Sequence, residues 1–347
     1  MLKPERLQPG DKVVAVSLSW GGPAVFPYRY EIGKRQLQAE FGLEVVESRH
    51  ALREPEWLER NPEARAQDLM EAFADPSVRG VFSTIGGDDS IRLLPYVRSS
   101  VIASNPKVFL GYSDTTVAHL LCFSAGVVSF YGPAFMAGFA ENGGLFPYMV
   151  RALRKTLFSA EPVGLIPPNT EGWTVEFLDW ATPENQSRKR RLSPSEGWLF
   201  LQGEGRVRGR LIGGCLEVME SLRGSSVWPD PQAFDGAILF LETSEEAPPP
   251  SVVLRTLRSY AAMGILRRLS GILFGRPGGA IPVEDFPKYD AAILKVVAEE
   301  EGLASLPVVT RMDFGHTDPM FVLPYGVLAQ IDCERREFSI LENAVRE

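Results

Sequence analysis

The chain has 347 residues, long for one core and comfortable for two lobes, and its 45% hydrophobic and 23% charged content is that of a folded globular protein. A formal charge of -8 leaves no extended basic face, so neither a nucleic-acid polymer nor an anionic membrane is an expected partner. Cys122, Cys215 and Cys333 have no paired spacing, and His50, His119 and His316 have no metal-ligand spacing, which speaks against a disulfide framework, a metal centre or any cofactor.

Residues 12–17 predict a buried first strand, followed by a Gly21-Gly22-Pro23 loop and a helix through Ile32, Leu37 and Phe41. A second strand is expected at 43–46 and a helix at 64–73 with Leu69 and Met70 facing inward. The third strand, 80–85, runs into Gly86-Gly87-Asp88-Asp89-Ser90, and after a helix through Ile91, Leu93 and Leu94 an apolar strand leads from Val108 towards Ser113. Such alternation predicts an α/β lobe with a doubly wound, mostly parallel sheet and ligands beyond the carboxyl ends of its strands. From residue 162 to 205 the pattern breaks into prolines, polar residues and the run Arg188-Lys189-Arg190-Arg191, as in a crossing linker or exposed loop. Regularity returns at Val207, with a strand at 236–242, a helix at 252–263, a strand at 269–274, a helix at 289–300 and a short strand at 308–310. An antiparallel pair is expected at 326–332 and 337–341. The division expected is an N-terminal lobe over 1–160, a linker over 161–205 and a C-terminal α/β lobe with β-rich elements over 206–347. The opening residues show no apolar run before a cleavage site and no stretch nears the length of a spanning helix, so a cytoplasmic location is expected.

Ser113, in Gly111-Tyr112-Ser113-Asp114-Thr115, is delivered by a strand onto the first turn of a helix, which raises a hydroxyl into a cleft beside free helix-start amides. Serine is also a preferred N-cap, and that reading stands beside the first. A serine hydroxyl becomes a nucleophile when an imidazole takes its proton and an acid orients the imidazole. Glu242 ends an apolar strand and enters the Pro-rich loop 243–250; alone it would read as a solvated charge. His316 lies in Phe314-Gly315-His316-Thr317-Asp318-Pro319-Met320, where a lone histidine would read as a surface-turn residue. His119 falls inside the helix after Ser113 and reads as a packing residue, and His50 has no evident partner.

Gly111-Tyr112-Ser113-Asp114, Leu241-Glu242-Thr243 and Gly315-His316-Thr317-Asp318-Pro319, in that order, resemble the LD-carboxypeptidase family of serine peptidases, which includes murein tetrapeptide LD-carboxypeptidases and microcin C immunity peptidases. The likeness extends over nearly the whole chain, the opening strand and the Ile85-Gly86-Gly87 turn included. The resemblance implies Ser113 as nucleophile, His316 as base and then acid, Glu242 as the residue orienting His316, and the amides of Gly87 and Asp114 as an oxyanion hole. It also implies a site between two lobes, with Gly86 at the substrate, and a homodimer.

The resemblance leaves two substrates open. Asp88-Asp89-Ser90 after the Gly pair and the long middle segment are more like the immunity peptidases, which cut the amide bond of aminoacyl-nucleotide conjugates. There an aromatic side chain on the inter-lobe loop stacks on the base, for which Trp180 is favoured over Trp173, although either indole could simply pack the linker. The Arg188 to Arg191 run could meet a phosphate or be a solvated loop. Arg276, in Gly275-Arg276-Pro277-Gly278-Gly279, could instead hold a terminal carboxylate, which suits a small peptide such as a murein tetrapeptide losing its terminal D-alanine. From another class, the chain could be a two-lobed binding protein whose serine only caps a helix. Nucleotide binding by Gly86-Gly87 alone lacks the phosphate-loop lysine and the dinucleotide fingerprint, and Asp88 and Asp89 would repel phosphate. No cysteine stands at the strand-to-helix turn, which speaks against a cysteine hydrolase.

Overall fold

A computed structural model describes residues 1–347. Its strands form one sheet of six and one of eight. In the first, β1 (Lys12–Val16), β2 (Glu44–Glu47), β3 (Val78–Ser83), β4 (Val108–Gly111) and β5 (Phe130–Tyr131) are parallel and lie in the order β5-β4-β3-β1-β2. β4 is buried at every position, as befits a strand covered by helices on both faces. Chain order reverses between β1 and β3, and the crevice outside the carboxyl ends at such a point is where doubly wound sheets bind ligands. Gly86-Gly87 follows β3 and Ser113 follows β4, so both open into that crevice.

The remaining strands are β6 (Gly164–Ile166), β7 (Leu199–Gln202), β8 (Arg206–Cys215), β9 (Ile238–Glu242), β10 (Gly271–Gly275), β11 (Val308–Met312), β12 (Leu323–Pro324), β13 (Leu328–Asp332) and β14 (Glu337–Ile340). All but β12 form the second sheet, ordered β6-β14-β13-β8-β9-β10-β11-β7, with β8 to β11 parallel and antiparallel strands outside them. The tail pair predicted from sequence is the β13–β14 pairing.

Two parts of the sequence reading change. Residues 161–205 are more than a linker, because they supply β6 and β7, the two edges of the second sheet. β12 crosses back to pair with β5 in the first sheet, so the C-terminal half completes the N-terminal one. Between β6 and β7 the chain is stitched down by paired backbone bonds, Trp173 with Ser193 and Thr174 with Asp318. Asp318 lies two residues beyond His316, so this segment is tied to the histidine loop.

The two sheets share one apolar core of 84 buried residues, reaching from Leu7 to Val345. At their junction the amide of Cys215 donates to Thr116 Oγ1 at 3.1 Å. A Cβ on Gly214 would stand 2.5 Å from Thr116 Cγ2, so only glycine lets the end of β8 approach the helix Thr116–Ser124 this closely. Such continuity makes the halves one cooperative unit. Calorimetry is expected to show a single unfolding transition, and two resolved transitions would contradict a shared core.

Candidate active site

Ser113 sits at φ 64, a left-handed conformation unusual for a residue with a Cβ, between extended Tyr112 and the helical turn that leads into Thr116–Ser124. Strain of this kind costs on the order of 1–3 kcal/mol and is retained where it aims a side chain. The elbow is possible because its neighbours are small. A Cβ on Gly111 would lie 2.7 Å from Thr115 Cγ2, and one on Gly86 would lie 2.8 Å from Ser113 Oγ. No side-chain cap of the helix is made by Ser113, whose hydroxyl faces the cavity instead. Gly87, at φ 143, borders the same cavity, and Asp114, next in the chain, lies in the first helical turn, where amides lack acceptors within their own helix. The Asp114 side chain turns inward and accepts from the Ser90 amide at 2.9 Å, fastening the Gly-Gly loop to the elbow.

Asp89 is not the phosphate-repelling charge expected from sequence. It pairs in two-pronged fashion with the fully buried Arg65, at 2.6 and 2.9 Å.

Glu242, the last residue of β9, is completely buried, and both of its oxygens have partners. Oε2 faces His316 Nδ1 at 2.7 Å, and Oε1 accepts from the Tyr131 hydroxyl. Tyr131 also accepts from the Ser113 amide at 3.1 Å, so one phenol links the elbow of the first lobe to the acid of the second. Sequence reasoning missed Tyr131, because β5 is two residues long and carries no periodic signal. The glycines around the acid are steric requirements. A Cβ on Gly315, at φ 91, would fall 2.5 Å from Glu242 Oε2, and one on Gly278 would fall 2.9 Å from His316 Cβ.

His316 is enclosed, its side chain 7% exposed, with the Tyr112 ring 4.8 Å away. Its Nε2 does not bond Ser113; it lies 3.0 Å from Glu245 Oε2 on the loop after β9. Burial disfavours the imidazolium, but the two carboxylates outweigh it and push the pKa up to about 10. The same contact with His316 draws Glu245 down to about 2. His119 is the opposite case: buried between Ser129 Oγ and the Gly111 carbonyl, both at 2.9 Å, it is held neutral by desolvation, with a pKa lowered to about 3.

Ser113, Gly86, Gly87, His316, Glu245 and Trp180 border one cavity of about 410 Å³, within the size range of small-molecule sites. The segment between β6 and β7 forms its far wall. Trp180 is held there by the guanidinium of Arg29, 4.2 Å from the ring centroid, and by the edge of Phe26. Trp173 packs away from the cavity, buried against Phe286 with its Nε1 donating to the Pro194 carbonyl. The basic run is split in function. Arg190 is half-buried between Glu141 and Asp318 at the cavity, whereas Arg188 and Arg191 pair with Glu176 near the surface. Arg276 does not border the cavity; it is buried against Asp313 at 2.8 Å and Thr317 at 3.2 Å, beneath the Trp173 ring. No group of metal-binding side chains occurs.

The model of the LD-carboxypeptidase N-terminal domain matches residues 13–132, and that of the C-terminal domain matches residues 208–331. A Vibrio cholerae protein bearing a carboxypeptidase name is 31% identical over 100% of this chain and 99% of its own. The microcin C7 self-immunity protein MccF of Escherichia coli is 30% identical over 80% of this chain and 78% of its length. The structure of MccF with aspartyl sulfamoyl adenosine superimposes with a TM-score of 0.84 at 27% identity, covering 99% of this chain and 100% of that one. An MccF-like protein from Streptococcus pneumoniae, crystallised with AMP, gives a TM-score of 0.87 at 29% identity over 96% of this chain and 99% of its own. The chain belongs to the LD-carboxypeptidase family of peptidases, designated S66.

Truncating Arg276 leaves the buried Asp313 carboxylate without its cation, with only the Asn169 amide and the Trp198 indole donating to Oδ2. Arg276→Ala is expected to cost about 3–5 kcal/mol of stability. Denaturant unfolding checks this, and a rise in KM at unchanged stability would return Arg276 to the substrate.

Proposed function

We propose that the protein is a serine hydrolase of this family acting on the acyl bond of aminoacyl-nucleotide conjugates. The observation that carries the chemistry is the Glu242–His316 hydrogen bond, placed in the same cavity as an elbow serine. Ser113 Oγ attacks the acyl carbon while His316 Nε2 takes its proton. Glu242 holds Nδ1–H and stabilises the imidazolium that results. The amides of Gly87 and Asp114 receive the charge that develops on the carbonyl oxygen. The proton then passes from His316 to the departing nitrogen, and water on the same base releases the acyl group from Ser113.

Two observations favour a nucleotide-bearing substrate. Solved relatives carry AMP or aspartyl sulfamoyl adenosine, and Trp180 stands as a clamped flat surface on the wall of the cavity. An indole so fixed stacks on a base at little entropic cost.

Mass-spectrometric turnover of aspartyl sulfamoyl adenosine beside a murein L,D-tetrapeptide tests the assignment. Release of aspartate is expected, and release of D-alanine alone would make the protein a cell-wall carboxypeptidase. Ser113→Ala is expected to lower kcat by roughly 10⁴-fold with the fold intact, and His316→Ala to lower it as far while also costing stability, because the buried Glu242 Oε2 loses its partner; near-normal turnover in both would refute the triad. Trp180→Ala is expected to raise KM for the nucleotide substrate by about tenfold, the worth of one base stack, while sparing any activity on the tetrapeptide. Because His316 must lose a proton to act, kcat/KM is expected to rise with pH, its acid limb displaced to the alkaline side of an ordinary histidine. A flat profile through that range would exclude His316 as the base.

A further inference from the structure

Glu245 has no part in the chemistry above, yet it occupies the ring nitrogen that must face Ser113. Ionised carboxylates accept and do not donate, so Glu242, hydrogen-bonded to Nδ1, and Glu245, 3.0 Å from Nε2, together favour the doubly protonated form of His316. In that state the ring cannot accept the serine proton. The other groups facing it do not relieve this: Tyr112 presents its ring, the Tyr131 hydroxyl is directed to Glu242, and Asp318 is neutralised by Arg190.

The loop that carries Glu245 is built, not loose. Glu217 Oε1 accepts from both the amide and the hydroxyl of Ser244, at 3.0 and 2.6 Å. Gly279 packs so closely that a Cβ there would lie 2.7 Å from the Glu245 carbonyl. The carboxylate itself is 72% exposed at the cavity and has the imidazole as its only ionic partner. Among the other charged side chains bordering the cavity, Glu176 and Asp318 pair with arginines, Arg190 pairs with Glu141 and Asp318, and Arg29 is held by Asn142 and Gln186.

We propose that Glu245 is a specificity residue for an ammonium group on the carbon next to the scissile carbonyl, and that this ammonium, by taking the carboxylate, frees His316 Nε2 for Ser113. The inference rests on the assignment of Ser113 and His316 as nucleophile and base. A carboxylate 3.0 Å from the base is within reach of groups attached beside the attacked carbonyl, and an α-ammonium is such a group. The exchange balances: one cation, the substrate ammonium, replaces another at Glu245, and the Nε2 proton of His316 passes to solvent. The preferred substrates are therefore aminoacyl conjugates with a free α-amine, and acylation of that amine removes the group that opens the site.

The test uses alanyl sulfamoyl adenosine, whose side chain carries no charge, and its N-acetyl form. On the Ser113→Ala background, calorimetric binding is expected to favour the free amine by about five- to tenfold, and Glu245→Gln in that background to abolish the preference. Equal affinity for the two forms, including no binding of either, overturns the proposal, as does a preference that survives Glu245→Gln. With Ser113 present, Glu245→Gln is expected to move the acid limb of kcat/KM to lower pH, because one of the two carboxylates holding the imidazolium has gone; an unmoved limb overturns the latch. Turnover persisting in Ser113→Ala would instead defeat the serine assignment, while the binding ratio would still report on Glu245.

Discussion

The arrangement of this molecule turns on one buried carboxylate. Glu242 has no contact with water, and an ionised carboxyl in such a place is tolerated only when its lone pairs are met. One oxygen is met by Tyr131 of the first sheet and the other by His316 of the second. The group is thus satisfied from both halves of the chain, alongside the shared core and the β5–β12 pairing that join them. The elbow serine is joined to this carboxylate through the same phenol.

Around this centre, charge is confined by pairing. Arg276 with Asp313 is fully buried, while Arg65 with Asp89 and Arg190 with Glu141 and Asp318 each join a buried group to a half-buried one, and each ties together distant parts of the chain. Their value is positional more than energetic, since desolvation offsets much of the attraction in a buried pair. Glu245 departs from this pattern. Its partner is a titratable ring rather than a permanent cation, and that makes it the exchangeable element of the site.

Much of this was legible in the sequence. Strands β1, β3 and β4 of the first sheet announced themselves as apolar runs leading to serine or glycine, and the sharp turn at Ser113 followed from a strand meeting a helix without a loop between them. Glu242 and His316 were legible only jointly, through resemblance, because each alone is an ordinary residue at the mouth of a loop. What escaped was of two kinds. Strands of two or three residues, such as β5, β6 and β12, are defined by their neighbours and have no period of their own. Contacts across long separations, Tyr131 to Glu242 and Arg190 to Glu141, have no local signature. Arg276 shows the same limit in reverse: a cleft-side motif suggested a ligand, and a distant aspartate claimed the guanidinium.

The wall that bears Trp180 falls between the two stretches matched by the family models, which end at residue 132 and resume at residue 208. Every residue assigned to the chemistry lies inside those stretches. The intervening chain is anchored by β6 and β7 at the sheet edges, and its Thr174 and Arg190 hold Asp318, two residues beyond His316, so the recognition wall and the histidine loop share one support. A change in that wall would therefore be felt at the imidazole as well as at the ligand, which couples what the cavity admits to how the histidine is held.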